Sequence, residues 1–501
     1  MVVLQGACAR GEVARPNVVL IYGDDVGYAD IGVNGATVIP TPHIDRLASR
    51  SLNFTDGHAP SATCTPSRFS MLTGVHAFRQ GVRIAPPNAS LLIDPDAMTL
   101  PRLFQDAGYN TGLVGKWHLG LGDKEAGPQW NGELKPGPIE LGFDDVFMMP
   151  TTNDRVPCVY VEGHRVVGLD PDDPIHVGKK YEDVDLPGST QYPTWDKGPV
   201  YHSVINGIGR IGYMSGGKSA LWDDRTMADV FVKQAKEFLS KQSTEEPFFL
   251  YFSSQDIHVP NTPHQRFQGK TKYGVRGDAM VQFDWSVGQI VGELERLGLS
   301  DNTIIILTSD NGPTQHDDSY PSTPQVQRYS HRHNKGHDAS GPWRGGKYEI
   351  YEGGTRIPFM VSWPGVIEPG RSDAMVNQID FVASFASLLE IELADDQAID
   401  SRDTWDAFAG SDPVGLSLIL EEGRSVALRM NQWKYIPAMD PKWGQGFWPE
   451  EDQLFNLEND RGEQANLIAS EHEKAESMRE VLEALRGDQG VRAAVTNFDA
   501  N

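Results

Sequence analysis

Apolar runs six or seven residues long recur through the first four fifths of the chain, at Asn17–Tyr22, Asn110–Gly115, Pro247–Ser253, Thr303–Ser309 and Ile357–Ser362. Their length and near-continuous hydrophobicity predict strands buried on both faces, as in a parallel sheet. Between them the spacing of apolar positions becomes helical. Pro42–Ser51 has Thr41 placed to cap it and Pro42 at the first helical position, and Asp224–Gln242 separates the second and third strands. Alternating strands and helices predict an α/β fold, a mostly parallel central sheet flanked by helices. Gly120–Gly142 and Pro150–Gly209 are rich in Gly and Pro and nearly aperiodic. Loops that long inside a compact unit shape a binding site or a lid. Beyond Asp395 the pattern changes: Ser425–Tyr435 and Asp452–Leu457 read as short antiparallel strands, Ser470–Leu485 as an amphipathic closing helix. The expected organisation is a tail over 1–15, a main unit over 16–395 and a small α+β subdomain with an antiparallel sheet over 396–501.

Composition narrows the function classes. At 501 residues, 39% hydrophobic and 23% charged, the chain is an ordinary globular one, which excludes wholesale disorder and fibrous repeats. The formal charge of -25, from 69 acidic against 44 basic residues, argues against nucleic acid or an anionic membrane as partner. No apolar window is long enough for a transmembrane segment. Three cysteines, Cys8, Cys64 and Cys158, are too few for a disulfide framework. Small residues before Cys8 resemble the end of a lipoprotein signal and read equally as a frayed tail before the first strand; the first reading carries a periplasmic, extracellular or cell-surface location with Cys8 as a lipid attachment point.

The sharpest local signal is Ser61-Ala-Thr-Cys64-Thr-Pro66-Ser-Arg68; Cys-x-Pro-x-Arg is expected at most about 0.02 times by chance at this composition. Asp24-Asp25 and Asp310-Asn311 each follow an apolar strand directly, where open α/β sheets collect their ligands. Taken singly, Asp-Asp and Asp-Asn-Gly are common turn sequences. Together they offer oxygen donors for a hard cation. Lys116 and His118 follow a third strand, His258 a fourth, and Lys347 lies in the Gly-rich turn Gly345-Gly-Lys-Tyr. A lone Lys or His is usually solvated or a satisfied core residue; the joint pattern is what points to chemistry.

In the order in which they occur, over about residues 15 to 365, these segments resemble the motifs of the type I, formylglycine-dependent sulfatases of the alkaline-phosphatase-like superfamily. Asp452-Gln-Leu-Phe-Asn-Leu resembles that family's C-terminal strand and turn. The resemblance implies that Cys64 is oxidised to formylglycine (3-oxoalanine) by a separate maturation enzyme, and that its hydrate is the nucleophile. It further implies Asp24, Asp25, Asp310, Asn311 and the modified Cys64 as Ca²⁺ ligands. Arg68 and Lys116 would stabilise the charged nucleophile, and His118 would take its proton as the sulfated intermediate collapses. Lys116, Lys347 and His258 would grip the sulfate, with Lys347 or His258 protonating the leaving oxygen. The implied activity is that of a sulfuric ester hydrolase acting on sulfated carbohydrates. Val159–Asp170, Gly216-Gly-Lys-Ser-Ala and Asp256-Ile-His258-Val-Pro resemble the bacterial carbohydrate branch, near arylsulfatase A, some of whose members remove 6-O-sulfate from galactose or N-acetylgalactosamine. Candidate sugar contacts are His337 and Arg344 above all, then Arg79, Arg155, His333, Trp343, Trp443 and Trp448. Alternatives are a phosphonate monoester or phosphodiester hydrolase of the same superfamily, or a silent carbohydrate-binding pseudoenzyme. Residues 328–347 carry Arg328, Arg332, Lys335, Arg344 and Lys347 against Asp338, a local balance of +4 suited to an anionic substrate.

Overall fold

The computed structural model describes residues 15–194, 202–314, 337–440, 448–487 and 489–498. Ten strands form one mixed sheet: β1 (Asn17–Gly23), β2 (Leu52–His58), β3 (Asn110–Lys116), β4 (Asp145–Met149), β5 (Val161–Glu162), β6 (Arg165–Val166), β7 (Phe248–Ser253), β8 (Thr303–Ser309), β9 (Met360–Ser362) and β10 (Gly370–Asn377). Their order across the sheet is β10-β2-β9-β8-β1-β7-β3-β4-β5-β6. The run from β8 to β4 is parallel throughout, and β9 lies antiparallel to both of its neighbours. All five expected strands belong to this sheet, and every residue of β1, β7 and β8 is buried.

The helices α1 (Pro42–Ala48), α2 (Cys64–Thr73), α3 (Leu100–Asp106), α4 (Met227–Ser240), α5 (Gly274–Leu297), α6 (Glu352–Thr355) and α7 (Phe381–Leu388) explain that burial. Phe104 of α3 stacks on Phe249 of β7 at 4.4 Å, while Phe238 of α4 covers Gly112 of β3. Phe249 pairs with Thr111 and Leu250 with Gly112, so the two aromatic rings sit on opposite faces of the sheet. Helices α2, α3 and α7 pack together, as do α1, α4 and α5.

Three local expectations are corrected. Thr41 makes no cap bond to α1; its hydroxyl accepts from Gly32 N instead. The cap is tertiary: Asp284 of α5 accepts from His43 N and Ile44 N at 2.9 and 2.8 Å. Helix α4 begins at Met227 rather than Asp224, because the Asp224 carboxylate is committed to the buried guanidinium of Arg210. Helix α1 stops at Ala48, three residues short of Ser51.

A separate antiparallel sheet follows, in the order β11 (Leu418–Glu422), β12 (Val426–Met430), β13 (Trp433–Ile436) and β14 (Gln453–Asn456). The closing helix α8 (His472–Arg486) packs Met478, Leu482 and Leu485 with Leu420, Leu428 and Tyr435 of that sheet. Among the described residues no helix is long and apolar enough to cross a membrane.

Candidate active site

Strands β1 and β8 are adjacent and parallel, with Gly23 level with Ser309, so Asp24-Asp25 and Asp310-Asn311 leave the sheet side by side. Strand β3 ends at Lys116, β7 leads to His258, and Cys64 is the first residue of α2. The loop bearing Lys347 closes on the same edge. A Cβ on Gly312 would stand 1.8 Å from the carbonyl oxygen of Gly353, so only glycine lets these two backbones meet.

Three carboxylates and three cations interlock there, almost wholly excluded from solvent. Arg68 donates Nε and Nη2 to Asp310 Oδ2 at 3.0 and 2.9 Å, and Nη1 to the Ser253 and Tyr251 hydroxyls at 2.5 and 3.1 Å. Lys116 Nζ donates to both oxygens of Asp24 at 2.8 and 2.7 Å. Lys347 Nζ lies 2.7 and 2.9 Å from the two oxygens of Asp25, which also accepts from Asn311 Nδ2 and Thr314 Oγ1. Burial alone would raise the Asp25 carboxyl; Lys347, then His258 and Lys116, outweigh it and hold it well below the usual range. Asp310 moves the other way, to about 6, because burial and the neighbouring Asp24 charge exceed the pull of Arg68.

The histidines are neutral. Burial, then Lys116, drives His118 well below its ordinary value; burial, then Lys347, takes His258 to about 3. His118 Nε2 faces the Ala85 carbonyl at 3.3 Å, which assigns the ring proton to Nε2 and leaves Nδ1 as an acceptor 3.4 Å from Cys64 Sγ. His258 Nδ1 donates to Val259 O at 2.6 Å, leaving Nε2 bare. The arrangement can therefore accept a proton at residue 64 and hold an anion beside Lys116, His258 and Lys347.

Ligand atoms of Asp24, Asp25 and His258 all lie within 4.8 Å of one another. Asn311 Oδ1 is buried and has no hydrogen-bond partner. Such an oxygen-rich donor set, with an orphaned amide oxygen beside it, fits a hard divalent cation. Asp56, His58 and Glu352 also cluster, with Arg356 and Arg429 bridging the two carboxylates as Lys116 and Lys347 pair Asp24 and Asp25; the orphaned Asn311 oxygen is what favours the first cluster.

The family model described as Sulfatase matches residues 16–391. The chain belongs to the sulfatase family. An N-acetylgalactosamine-6-O-sulfatase of Bacteroides thetaiotaomicron is 44% identical, covering 94% of this chain and 93% of the relative. The mouse N-acetylgalactosamine-6-sulfatase is 30% identical over 79% of this chain and 67% of its own length. A solved chain from work on the metabolism of multiple glycosaminoglycans by Bacteroides thetaiotaomicron superposes with a TM-score of 0.87, at 44% identity, over 94% of this chain and 99% of that one. The protein is thus a type I sulfatase of the bacterial carbohydrate kind, a sulfuric ester hydrolase on the family's mixed sheet.

The sulfatase does not bring every expected residue to this pocket. Arg344 is outside the cluster: it donates to Glu463 O at 2.7 Å and stacks on Tyr351 at 3.6 Å, tying its loop to the C-terminal sheet. His337 bonds Asp30 at 2.8 Å, one step removed from Asp25 through Arg276, which donates to both Asp30 and Asp25 O. Arg79 pairs with Asp400 and caps the carbonyls of Leu485 and Gly487. Trp448 is buried and donates to Pro437 O. Trp343 lies against Arg356 at 3.8 Å; Arg155 pairs with Asp154 yet stays near enough to His118 for its charge to be felt there, so it borders the pocket. Cys8, His333 and Trp443, with Arg328, Arg332 and Lys335 of the 328–347 basic stretch, fall outside the described residues. Tyr22, Tyr251, Ser253 and Thr314 were not anticipated. The first three sit inside apolar strands; their only signal is a polar group near a strand's carboxyl end.

Proposed function

We propose that this sulfatase removes 6-O-sulfate from N-acetylgalactosamine or galactose units of sulfated polysaccharides, in the periplasm or at the cell surface. The observation that carries the substrate reading is the 44% identity to an N-acetylgalactosamine-6-O-sulfatase across nearly the full length of both chains. Cys64 is matured to formylglycine, whose hydrate supplies an oxygen nucleophile and a second hydroxyl that lets sulfate leave by elimination. Asp24, Asp25, Asp310, Asn311 and the matured residue 64 hold Ca²⁺, which when bound supplies charge against the sulfate oxygens.

The remaining work belongs to side chains. Lys116, Lys347 and His258 bind and orient the sulfate; of the latter two, Lys347 carries the proton that passes to the leaving oxygen, since His258 is neutral and its one ring proton is given to Val259 O. Arg68, locked by Asp310, Ser253 and Tyr251, keeps a fixed positive charge beside residue 64. His118 receives a proton at Nδ1, because its Nε2 is already committed to Ala85 O. Sulfate release from N-acetylgalactosamine-6-sulfate, set against the 4-sulfate and an aryl phosphonate, tests this reading. Preference for the phosphonate, or equal rates on the two sulfate positions, overturns it.

A further inference from the structure

Nine non-glycine residues among those described have φ in the left-handed region, and three of them converge on the active site: Asp25 at 63°, His118 at 57° and Tyr348 at 74°. For a bulky side chain this conformation is a genuine outlier, and such outliers persist where the surrounding structure imposes them, commonly at ligand-binding positions. Asp25 and His118 already have roles. Tyr348 has none. Glycine or asparagine would adopt this conformation at lower cost, and the neighbouring turn uses glycine for the same purpose at Gly345, φ 79°.

The backbone holds Tyr348 in place on both sides. Lys347 N donates to Pro313 O and Tyr348 N to Ala62 O, both at 2.8 Å, and Ala62 is two residues from Cys64. The Tyr348 ring centroid is 5.5 Å from Lys347 Nζ, the ammonium that grips Asp25. The groups that would meet the sulfate, Cys64, Lys116, His258 and Lys347, are buried, whereas Tyr348 is half-buried and so occupies the outer wall. A rigid ring with one hydroxyl at the rim of an anion site suits a sugar: the ring face covers C–H groups and the hydroxyl bonds a sugar hydroxyl. Lys347 pulls the Tyr348 phenol down, but burial and the nearby Asp25 carboxylate outweigh it and keep the phenol protonated; Arg155 is close enough to act on both Tyr348 and His118.

We propose that Tyr348 is a specificity-determining residue that grips the sugar half of a carbohydrate sulfate. The proposal rests on the sulfatase reading of this site. Its test compares wild type, Tyr348→Phe and Tyr348→Gly on 4-nitrophenyl sulfate and on the best substrate from a panel of sulfated galactose and hexosamine monosaccharides, with kcat and KM measured separately. The sugar-to-aryl ratio of kcat/KM falls about fivefold in Tyr348→Phe and at least about tenfold in Tyr348→Gly, mainly through the KM of the sugar. Thermal melting of Tyr348→Gly at or above wild type accompanies this, because the strained φ is relieved. An unchanged ratio in both variants overturns the proposal alone, since a residue that merely props Lys347 lowers both substrates together. Wild-type enzyme that turns over the aryl sulfate and none of the sugars overturns the carbohydrate reading and this proposal with it.

Discussion

Lys434 lies wholly buried on β13, with Nζ 3.0 Å from Glu352, 2.9 Å from Glu421 and 3.7 Å from Glu463. Asp56 completes a set of four carboxylates whose other cations are Arg356 and Arg429. Glu352 opens α6, five residues beyond Lys347, so this network fastens the loop carrying Lys347 to the C-terminal sheet. Two unit charges 3 Å apart attract by about 5–6 kcal/mol at an effective dielectric of about 20. Part of that is offset by the cost of burying Lys434, and breaking such a buried cluster costs about 3–5 kcal/mol net. Unfolding entropy of roughly 2.1 cal/mol/K per residue gives about 1 kcal/mol/K for the whole chain, so Lys434→Met melts about 3–5 °C lower if it unfolds as one unit. The loss grows with pH. Glu463, pushed up to about 8 chiefly by burial, and neighbours freed from Lys434 take up protons in acid and relieve the repulsion. Calorimetric melting at about pH 6 and 8.5, with Lys434→Met/Glu421→Gln alongside, measures this. The double variant recovers at least about half of the loss. A drop below about 1 °C at both pH values, or strict additivity in the double variant, refutes the reasoning.

Three further outcomes follow from the same geometry. Cys64→Ser loses at least about 10³-fold in kcat on an aryl sulfate, and intact-mass analysis of the wild type finds the aldehyde form; full turnover by Cys64→Ser sinks the nucleophile assignment. Chelation abolishes turnover and Ca²⁺ restores it, while Asn311→Ala needs markedly more Ca²⁺ for the same rate, because its orphaned amide oxygen is gone. Activity indifferent to chelator counts against the metal. Burial pushes Glu422 up from 4.5 to about 8, so the folded state keeps a proton that the unfolded chain releases. Its stabilisation is complete below about pH 4.5 and is lost as pH rises to about 8; Glu422→Gln therefore gains on wild type with rising pH, by on the order of 5 kcal/mol at the limit. A melting difference that stays flat between pH 5 and 9 contradicts this.

The strands most legible in the sequence were those covered on both faces, because their apolar runs have no polar interruptions. Strand β2, Leu-Asn-Phe-Thr-Asp-Gly-His, is not legible as an apolar run: Asn53 donates to the Ala48 carbonyl, and Thr55 and Asp56 pair with Asp373 and Arg429, which breaks the pattern. The 24-residue helix α5 is not legible either. It contains four glycines, and among buried apolar residues such as Met280, Phe283 and Ile290 it also buries Asp278, Gln282, Asp284 and Ser286, which bond Gly269 N, His264 N, the start of α1 and Asp256, so its inward face is interrupted by polar groups. Motif residues at strand ends were readable because strand direction alone delivers them to one edge. Arg344, His337 and Arg79 were not, since their partners Glu463, Asp30 and Asp400 are more than a hundred residues away, and nothing local distinguishes an arginine held by a distant carbonyl from one awaiting a sugar.

That distinction also changes how the charge is understood. A chain of net charge -25 that hydrolyses an anionic ester needs local positive potential, and the sequence offered residues 328–347 as its source. Arg344 and Lys347 of that stretch are engaged within the protein, by a Glu463 carbonyl and by Asp25. In the pocket, Asp24, Asp25 and Asp310 formally balance Arg68, Lys116 and Lys347, and both histidines are neutral. A balanced pocket has little long-range attraction for sulfate, and charges more than about 8 Å away through salt water are largely screened. A divalent cation held in the carboxylate cluster, as proposed, would tip the local sum to a formal +2 without adding a basic residue. On the calcium reading proposed above, the acidic residues that make the chain look hostile to its substrate would be, at this edge of the sheet, the groups that recruit the charge needed to hold it.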